Sequence, residues 1–521
     1  MSLPRPDVDP DGLLEFSVVF TDRSLNHMSK RFVAVMQDVI DVLRTTYGAH
    51  TVAVVPGGGT YAMEAVARQL ATGRRCLVVR NGLFSYRWSQ ILDAGSVASE
   101  TTVCRARPAS DEPQAPWSPA AIDEVVEAIE RDRPEVVFAA HVETAAGVLL
   151  PDDYVRALAE ATHAVGGLLV LDCIASGALW VDMTQLGVDV LRTTYGAETV
   201  AVVPGGGTYA MEAVARQLAT GRRCLVVRNG LFSYRWSQIF DAGSVAAETT
   251  VCTARPGSDE RQAPWTPPPV EDVVEAIGRA RPEVVFAAHV ETAAGILLPD
   301  DYVRTVAAAT HAAGGLLVLD CIASGALWVD MTELGVDVLL SAPQKGWSGS
   351  PCAGFVMLSE AGRAQVMATT STSFAADLQK WLTITEAYTH GQTPYHATMP
   401  TDALARDAAL MLETRAAGLA ELRQAQASLG AQVRGLLADH GFPSVAAEEF
   451  AAPSVVVAFT DDPEIKSGAK LKARGIQVAA GVPLMCGEGD DFSTFRVGLF
   501  GLDKLTDVDG TVERLRAHLR T

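Results

Sequence analysis

The chain is short of lysine, and its few lysines are unevenly spread. Seven occur in 521 residues and none lies between Lys30 and Lys345, so its basic side chains are almost all arginine. The 62 acidic residues outnumber the 42 basic ones and give a net charge of -20. A surface of that sign repels polyanions, which argues against nucleic acid or an anionic membrane as a partner.

Cysteine pairs and long apolar runs are also lacking. The eight cysteines form no CxxC pair and no His/Cys group at zinc spacing, so neither disulfides nor a structural metal is indicated. The N-terminal residues MSLPRPDVDPDG contain no apolar stretch of the kind found in export signals, and the run GGLLVLDCIASGALW is too short to span a bilayer. These features favour a cytoplasmic location. The 48% of hydrophobic residues and 20% of charged ones are typical of a folded globular protein.

The chain contains a long internal repeat. Residues 41–188 recur as residues 189–336 with 20 differences in 148 positions, and we call these segments copy 1 and copy 2. Structural repeats of solenoids and propellers are far shorter and occur in runs of three or more, so this pattern indicates a tandem duplication. Unequal crossing-over would produce a tandem repeat of this kind, and so would an error of gene assembly. Removing one copy leaves 373 residues, which is the size of an ordinary two-domain protein.

The pattern of apolar residues predicts alternating strands and helices in each copy. TVAVVP, RCLVVR, EVVFAA and LLVLD are short apolar strands separated by helical segments, and this alternation predicts a largely parallel sheet covered on both faces. Ser29 can cap a first helix that ends near Gly48. From about Asp402, a long Ala- and Arg-rich helical stretch followed by three strands predicts a smaller α+β domain. The domains predicted are an N-terminal arm and first helix (1–40), a surplus copy (41–188), a large domain (189–400) and a small domain (401–521).

Two charged residues follow apolar strands in the unduplicated order of the chain. Lys345 comes just after the strand DVLLSAPQ, and Asp320 ends the strand LLVLD. On position alone, a solvated loop lysine is favoured over a reactive one, and a capping or turn aspartate is as plausible as a functional one. Because open α/β sheets bind ligands at the carboxyl ends of their strands, a partly desolvated lysine there can attack a carbonyl, and a buried carboxylate there needs a cationic partner.

A glycine-rich loop, Pro204-Gly205-Gly206-Gly207-Thr208, joins a strand to a helix. Its backbone N–H groups, the helix N-terminus and the threonine hydroxyl can together hold an anion. The loop fits neither GxGxxG nor GxxxxGK[ST], so it favours a single phosphate over a dinucleotide or a nucleoside triphosphate. A purely structural glycine turn is the alternative.

Taken in order, the Gly-Gly-Thr at a helix start, the strand-terminal Asp320 and the Gln344-Lys345 of SAPQKGW resemble the class V pyridoxal-phosphate-dependent aminotransferases. The likeness is greatest to their alanine-glyoxylate and serine-pyruvate branch. It extends over essentially the whole chain once one repeat is removed. It implies the fold type I, aspartate aminotransferase-like architecture: an α/β large domain with a mostly parallel sheet and a small α+β C-terminal domain.

The resemblance also implies roles for individual residues. Lys345 would form the Schiff base with pyridoxal 5'-phosphate and shuttle the proton, while Asp320 would pair with the pyridine nitrogen. The remaining cofactor contacts that it implies are Gly206, Gly207 and Thr208 at the phosphate, Phe232 and Ile322 on the two faces of the ring, and Thr292 and Gln344 as polar contacts.

Further residues are implied in the second half of the chain. Arg496, in STFRVGLFG, matches the arginine that clamps a substrate carboxylate, although a surface ion pair is the alternative. Tyr395 and Thr398, in TPYHATMP, match a loop that reaches the cofactor phosphate of a neighbouring subunit, which implies a homodimer. The N-terminal EFSVVFTDRSLNHMS departs from the Gly-Pro-rich entry of the family, and substrate selection near that edge is not implied.

The repeat leaves two candidate sites. Copy 1 carries Gly58, Gly59, Thr60, Phe84, Thr144 and Asp172 but ends before any lysine. We expect copy 2 to form the site, because it runs unbroken from Asp320 to Lys345 and leaves the surplus module at the periphery of the sheet. Copy 1 is then expected to bind cofactor weakly and to expose unpaired strand edges, which favour aggregation or domain swapping.

The function expected is transfer of an amino group from a small amino acid, such as alanine or serine, to a 2-oxo acid, such as glyoxylate or pyruvate. A cysteine desulfurase or lyase with Cys486 as sulfur acceptor is a second interpretation, weakened by the acidic segment GVPLMCGEGDD, which would raise the pKa of the thiol. A third is a pyridoxal-phosphate-binding protein that the duplication has impaired.

Overall fold

The structure is a computed structural model that describes residues 13–18, 21, 25, 31–38, 56–112, 115–172, 174, 199–390, 392, 394 and 396–519. Within these ranges, each copy of the repeat builds its own parallel sheet, and the C-terminal part of the chain builds a third sheet.

The largest sheet has seven strands, and all of them come from the chain between residues 199 and 358. In spatial order they are Thr199–Pro204, Ala353–Leu358, Val338–Ser341, Leu316–Asp320, Val284–Ala288, Arg223–Arg228 and Glu248–Thr253. Ala353–Leu358 runs antiparallel to both of its neighbours, and all other strand pairs of this sheet are parallel. The inner strands are apolar on both faces because helices cover both sides, as the sequence pattern predicts.

Copy 1 forms a separate sheet of four parallel strands. Their order is Glu100–Arg105, Arg75–Arg80, Val136–Ala140 and Leu168–Asp172. In copy 2, the equivalent of the last strand pairs on its far side with Val338–Ser341. In copy 1, the described residues supply no such neighbour, and Leu168 is 46% exposed.

The C-terminal sheet has four strands, in the order Leu14–Phe16, Ile476–Ala480, Thr494–Gly498 and Val455–Phe459. Its first strand comes from the N-terminal arm and pairs in parallel with Ile476–Ala480. This strand was not anticipated from the sequence. The N-terminal segment therefore contributes to the sheet of the C-terminal unit.

Four two-stranded ribbons accompany these sheets. They are Arg107–Pro108 with Trp117–Ser118, Val142–Glu143 with Val148–Leu149, Arg255–Pro256 with Trp265–Thr266, and Val290–Glu291 with Ile296–Leu297.

The helices follow the alternation that the sequence predicts. Copy 1 contains Gly59–Ala71, Leu83–Ala94, Ile122–Asp132 and Asp152–Ala164. Copy 2 contains Gly207–Leu218, Leu231–Gly243, Val270–Ala280, Asp300–Ala312 and Met331–Leu334. The later helices are Glu360–Ala368, Leu378–Thr389, Thr401–Ala416, Leu419–Asp439, Pro463–Lys466, Ala469–Ala473, Leu502–Leu505 and Val508–Leu519, with a 3-10 turn at Glu448–Phe450.

Two helices differ in extent from the sequence prediction. The first helix is present over residues 31–38, while Ser29 and Gly48 lie outside the described residues. The long stretch after Asp402 is two helices, because Gly418 lies between them with φ of +87°, a left-handed conformation that ends a helix. None of the helices described is both long enough and apolar enough to cross a membrane.

Candidate active site

Lys345 and Asp320 lie at the carboxyl ends of two neighbouring parallel strands. Asp320 is the last residue of Leu316–Asp320, and Lys345 follows closely after Val338–Ser341. Their exposed fractions are only 7% and 8%, respectively. The structure therefore brings the two residues together at the edge where α/β sheets bind ligands.

Burial shifts the pKa of both groups towards their neutral forms. It lowers the pKa of the Lys345 amine to about 8, against the opposing effect of the Asp320 carboxylate. It raises the pKa of Asp320 to about 6, against a 2.9 Å hydrogen bond from the Ile322 N–H and the charge of Lys345. Near neutral pH the site thus combines a carboxylate with an amine that can readily lose its proton.

The glycine-rich loop lies next to this pair. Gly206 precedes the helix Gly207–Leu218, so the free N–H groups of the first helical turn are at the loop. A Cβ added at Gly207 would lie 2.5 Å from Ile322 Cδ1, and Ile322 is two residues after Asp320. A side chain at this position would therefore displace the Ile322 side chain.

Phe232 lies at the centre of a group of three cations. Its ring centroid is 4.9 Å from Arg235 Cζ, 5.6 Å from Arg496 Cζ and 5.9 Å from Lys345 Nζ. Arg496 belongs to the C-terminal sheet, in the strand Thr494–Gly498. The site is therefore built where copy 2 and the C-terminal unit meet.

Three of the residues that the sequence singled out carry a buried polar atom with no hydrogen-bond partner in the part of the chain that the structure describes. These atoms are Thr292 Oγ1, Gln344 Oε1 and Arg496 Nη1. Burial also lowers the pKa of Arg496 to about 10, while its Nε donates to the Ala480 carbonyl at 2.8 Å. An unpaired buried polar group costs on the order of 1–3 kcal/mol, so a polar ligand in this space would be stabilised.

Two side chains at the site were missed in the sequence. Arg235 Nη1 donates to Thr208 Oγ1 at 3.3 Å, which places a guanidinium beside the glycine-rich loop. Its position three residues after Phe232 on one helix is a signal that could have revealed it, because residues at that spacing share a face. Glu291 was missed although it directly precedes Thr292.

Glu291 is fully buried and holds the start of the Phe232 helix in place. Its carboxylate accepts hydrogen bonds from Ser233 N at 2.8 Å, Ser233 Oγ at 2.7 Å, Ala293 N at 2.9 Å and Phe232 N at 3.3 Å. A carboxylate at a helix N-terminus is also stabilised by the helix dipole. Glu291 thus fixes the position of Phe232 in the site.

Copy 1 repeats much of this arrangement without a lysine. Arg87 Nη1 donates to Thr60 Oγ1 at 3.2 Å, and a Cβ at Gly59 would lie 2.6 Å from Ile174 Cδ1. The remaining candidates of copy 1, Phe84, Thr144 and Asp172, occupy equivalent positions, and burial raises the pKa of Asp172 as it does in copy 2. Thr144 is exposed, whereas Thr292 is only 1% exposed. The neighbouring Ala293 packs with Val455 of the C-terminal unit in one apolar cluster.

The loop that was expected to reach a neighbouring site lies against copy 1. A Cβ built at Gly58 would be 2.9 Å from the Thr398 carbonyl oxygen. At the equivalent Gly206, no described atom lies within 4 Å of such a Cβ. Thr398 is therefore next to the glycine loop of copy 1, whose arrangement includes no lysine. Tyr395 lies outside the described residues.

The fold and this site together define a pyridoxal-phosphate-dependent transferase of the α/β type. A family model described as Aminotransferase class-V matches the chain twice, over residues 15–195 and 194–508, and the chain belongs to this family. The predictions of family, fold type I architecture, aminotransferase class and pyridoxal 5'-phosphate as cofactor are confirmed. The two matches meet close to the junction between the two copies.

The chain is also similar, at low sequence identity, to individual relatives and solved structures. The chain is 26% identical to a soluble hydrogenase small subunit from Synechococcus sp., over 67% of this chain and 84% of the relative. It is 29% identical to 2-aminoethylphosphonate–pyruvate transaminase 2 from Paraburkholderia xenovorans, over 64% and 88%. The solved alanine–glyoxylate aminotransferase from Nostoc sp. matches with a TM-score of 0.54 at 22% identity, over 64% of this chain and 84% of that one. At this identity the match shows a shared fold.

Proposed function

We propose that the protein transfers an amino group from a small amino acid, such as alanine or serine, to a 2-oxo acid, such as glyoxylate or pyruvate, and that copy 2 forms the active site. The observation that carries this proposal is the buried pair of Lys345 and Asp320 beside a glycine loop at a helix N-terminus. In this proposal 189–400 is the cofactor-binding large domain, 401–521 the small domain, 1–40 the N-terminal arm and 41–188 a surplus copy.

The residues present fit pyridoxal 5'-phosphate. Gly206, Gly207 and Thr208 would hold the phosphate through N–H groups and a hydroxyl, with Arg235 as an additional cation. Phe232 and Ile322 would lie on the two faces of the ring. The unpaired Thr292 Oγ1 and Gln344 Oε1 support the fit, because a polar cofactor would satisfy them.

Asp320 and Lys345 would have separate roles in the reaction. When bound, pyridoxal phosphate supplies an electron sink for the substrate carbon, and the Asp320 carboxylate would keep the pyridine nitrogen protonated. Lys345 Nζ would hold the cofactor and then move the proton at the substrate Cα. Its pKa of about 8 suits that task, because general acid–base catalysis is most efficient near the working pH.

Arg496 would bind the substrate carboxylate. Its unpaired Nη1 and its position 5.6 Å from the Phe232 ring support this role, since a guanidinium can hold a carboxylate with two parallel hydrogen bonds. A site with this arginine favours amino acids over simple amines as donors.

The alternative of a cysteine desulfurase or lyase has less support. Burial and the carboxylates of Glu291 and Glu488 raise the pKa of the Cys486 thiol to about 12. The thiolate is the form that accepts sulfur, and it would be scarce at neutral pH.

The test is a titration of the purified protein with candidate donors, followed through the absorbance of bound pyridoxal phosphate. L-Alanine, L-serine and 2-aminoethylphosphonate form the panel, and the last is included because a similar protein is named for it. We expect alanine or serine to convert the cofactor to its amino form, and Lys345→Ala to abolish the conversion. Cofactor that stays unchanged with every donor would refute the proposal, and sulfide release from cysteine that is lost in Cys486→Ser would favour the desulfurase.

A further inference from the structure

Copy 1 packs against the part of the large domain that follows the repeat. The Ala375 N–H donates to Glu64 Oε2 at 2.6 Å, and Arg68 Nη2 donates to the Thr372 carbonyl. Phe374 packs on the apolar core of copy 1. The Tyr61 ring, in turn, is only 5% exposed and belongs to the core of the copy 2 unit. This contact between the modules is thus partly apolar and partly hydrogen-bonded.

One contact joins equivalent residues of the two copies. Tyr61 and Tyr209 are the same residue of the repeat, and their rings meet edge to face with centroids 5.3 Å apart. A local two-fold axis brings a residue into contact with its own equivalent in this way, as in the self-complementary interfaces of homodimers. The same residue of the repeat thus lies on the contact surface of both copies.

Only half of that symmetric interface is made within the chain. The repeat ends at residue 336, so copy 1 has no equivalent of residues 371–376. Glu212 pairs with Arg216 at 2.7 Å, just as Glu64 pairs with Arg68. The Glu212 side chain is 40% exposed against 8% for Glu64, whereas Arg216 is 9% exposed against 26% for Arg68. The Glu212 carboxylate of copy 2 thus lacks the cover that the Glu64 carboxylate of copy 1 receives.

We propose that this face of the large domain is a self-association surface and that copy 1 occupies it in place of a second chain. The partner that fits the surface is another copy of the same segment, carrying the same tyrosine, glutamate and arginine. The full chain is then a monomer that imitates a dimer internally.

The position of Thr398 supports the same conclusion. It lies against Gly58, whereas the equivalent Gly206 has no described atom in that position. In a two-fold pair of complete chains, each such loop would lie against the glycine loop of the other chain. Here the loop covers copy 1, and the glycine loop near Lys345 stays open on that side.

The test is cysteine cross-linking in the full chain with a short bismaleimide. The variant Glu64→Cys/Ala375→Cys tests the contact described, and Glu212→Cys/Ala375→Cys is the matched variant with the same chemistry in copy 2. Ala375→Cys alone controls for the other thiols. Peptide mapping identifies the linked residues, and a denaturing gel separates links within one chain of 55.1 kDa from links between chains.

We expect residue 64 to link to 375 within one chain and residue 212 not to link. A 212–375 link between chains would show that a second chain covers the surface and would overturn the proposal, as would the absence of the 64–375 link. Light scattering on the unaltered chain, expected to give the monomer mass, keeps the test valid if a cysteine variant misfolds. These readouts need no turnover, so their failure is distinguishable from failure of the proposed function.

Discussion

The Asp320 carboxylate and the Lys345 amine are both buried at the carboxyl ends of neighbouring strands, and each favours the charged form of the other against the effect of burial on its pKa. Asp320 is therefore mostly a carboxylate above neutral pH, whereas the Lys345 amine loses its proton near pH 8. The repeat supplies Asp172 as a natural control for Asp320.

Asp320→Asn is expected to abolish transamination, while Asp172→Asn leaves the rate unchanged. Burial raises the pKa of Asp320 from 3.8 to about 6, so the stability of the fold falls as pH rises from about 4 to about 6 and the carboxylate forms. Removing that charge should not lower the melting temperature at pH 8. Rates and melting curves of both variants check the prediction, and loss of activity in Asp172→Asn alone would assign the site to copy 1.

Lys345 should react with an aldehyde in a strongly pH-dependent way. Because its pKa is lowered to about 8, the amine is protonated and unreactive below that pH and becomes reactive above it. Borohydride trapping of pyridoxal on the cofactor-free protein, quantified by peptide mapping, should show a midpoint near pH 8. In Asp320→Asn the midpoint should fall further, because the carboxylate that favours the ammonium is gone. A midpoint near 10.5, the ordinary value for lysine, would contradict the burial of this side chain.

Glu291→Gln should weaken cofactor binding, whereas the matched Glu143→Gln should not. Both glutamates accept the same set of hydrogen bonds at the start of a helix, including 2.7 Å bonds from Ser233 Oγ and Ser85 Oγ. An amide cannot accept them all, so each variant should lose about 1–3 kcal/mol of stability in its own module. Only Glu291 positions Phe232, so only its variant should raise the Kd for pyridoxal phosphate. Equal effects of the two on the Kd would show that the change is a general loss of stability.

Arg496→Lys should lower kcat/KM for amino acids by roughly 10- to 100-fold, or about 1.4–2.8 kcal/mol, because lysine cannot form two parallel bonds to a carboxylate. The half-reaction with a small primary amine that has no carboxylate is the control and should change little. Steady-state kinetics with alanine and single-turnover absorbance with the amine provide the comparison. An equal fall with both donors would mean that Arg496 acts on the architecture of the site and not on the carboxylate.

Much of the architecture could be predicted from the sequence because it rests on local patterns. The apolar strands of the repeat and the helix after the glycine loop form as expected, with Met211 and Leu218 buried. Leu14–Phe16 was missed because three residues are too few to show alternation, and its pairing depends on a distant strand. The break at Gly418 depends on a positive φ that composition alone does not reveal.

The candidate site was harder to predict where it depends on packing between units. The sequence indicates Lys345 and Asp320 by their places after strands. The hydrogen bonds of Glu291 and Arg235 depend on how a helix packs against its neighbours, so their part in the site could not be predicted from the sequence. The location of Thr398 could not be derived, because the sequence does not show which of two identical glycine loops it contacts. Their sequences are the same, and only the tertiary arrangement distinguishes Gly58 from Gly206.

The strand Thr199–Pro204 lies at the border of the seven-stranded sheet, and every other strand of that sheet follows it in the chain. A duplication that enters the gene just before this strand therefore adds a module upstream of a sheet that remains continuous. An added module placed in this way need not disturb the pairing of the sheet that follows it.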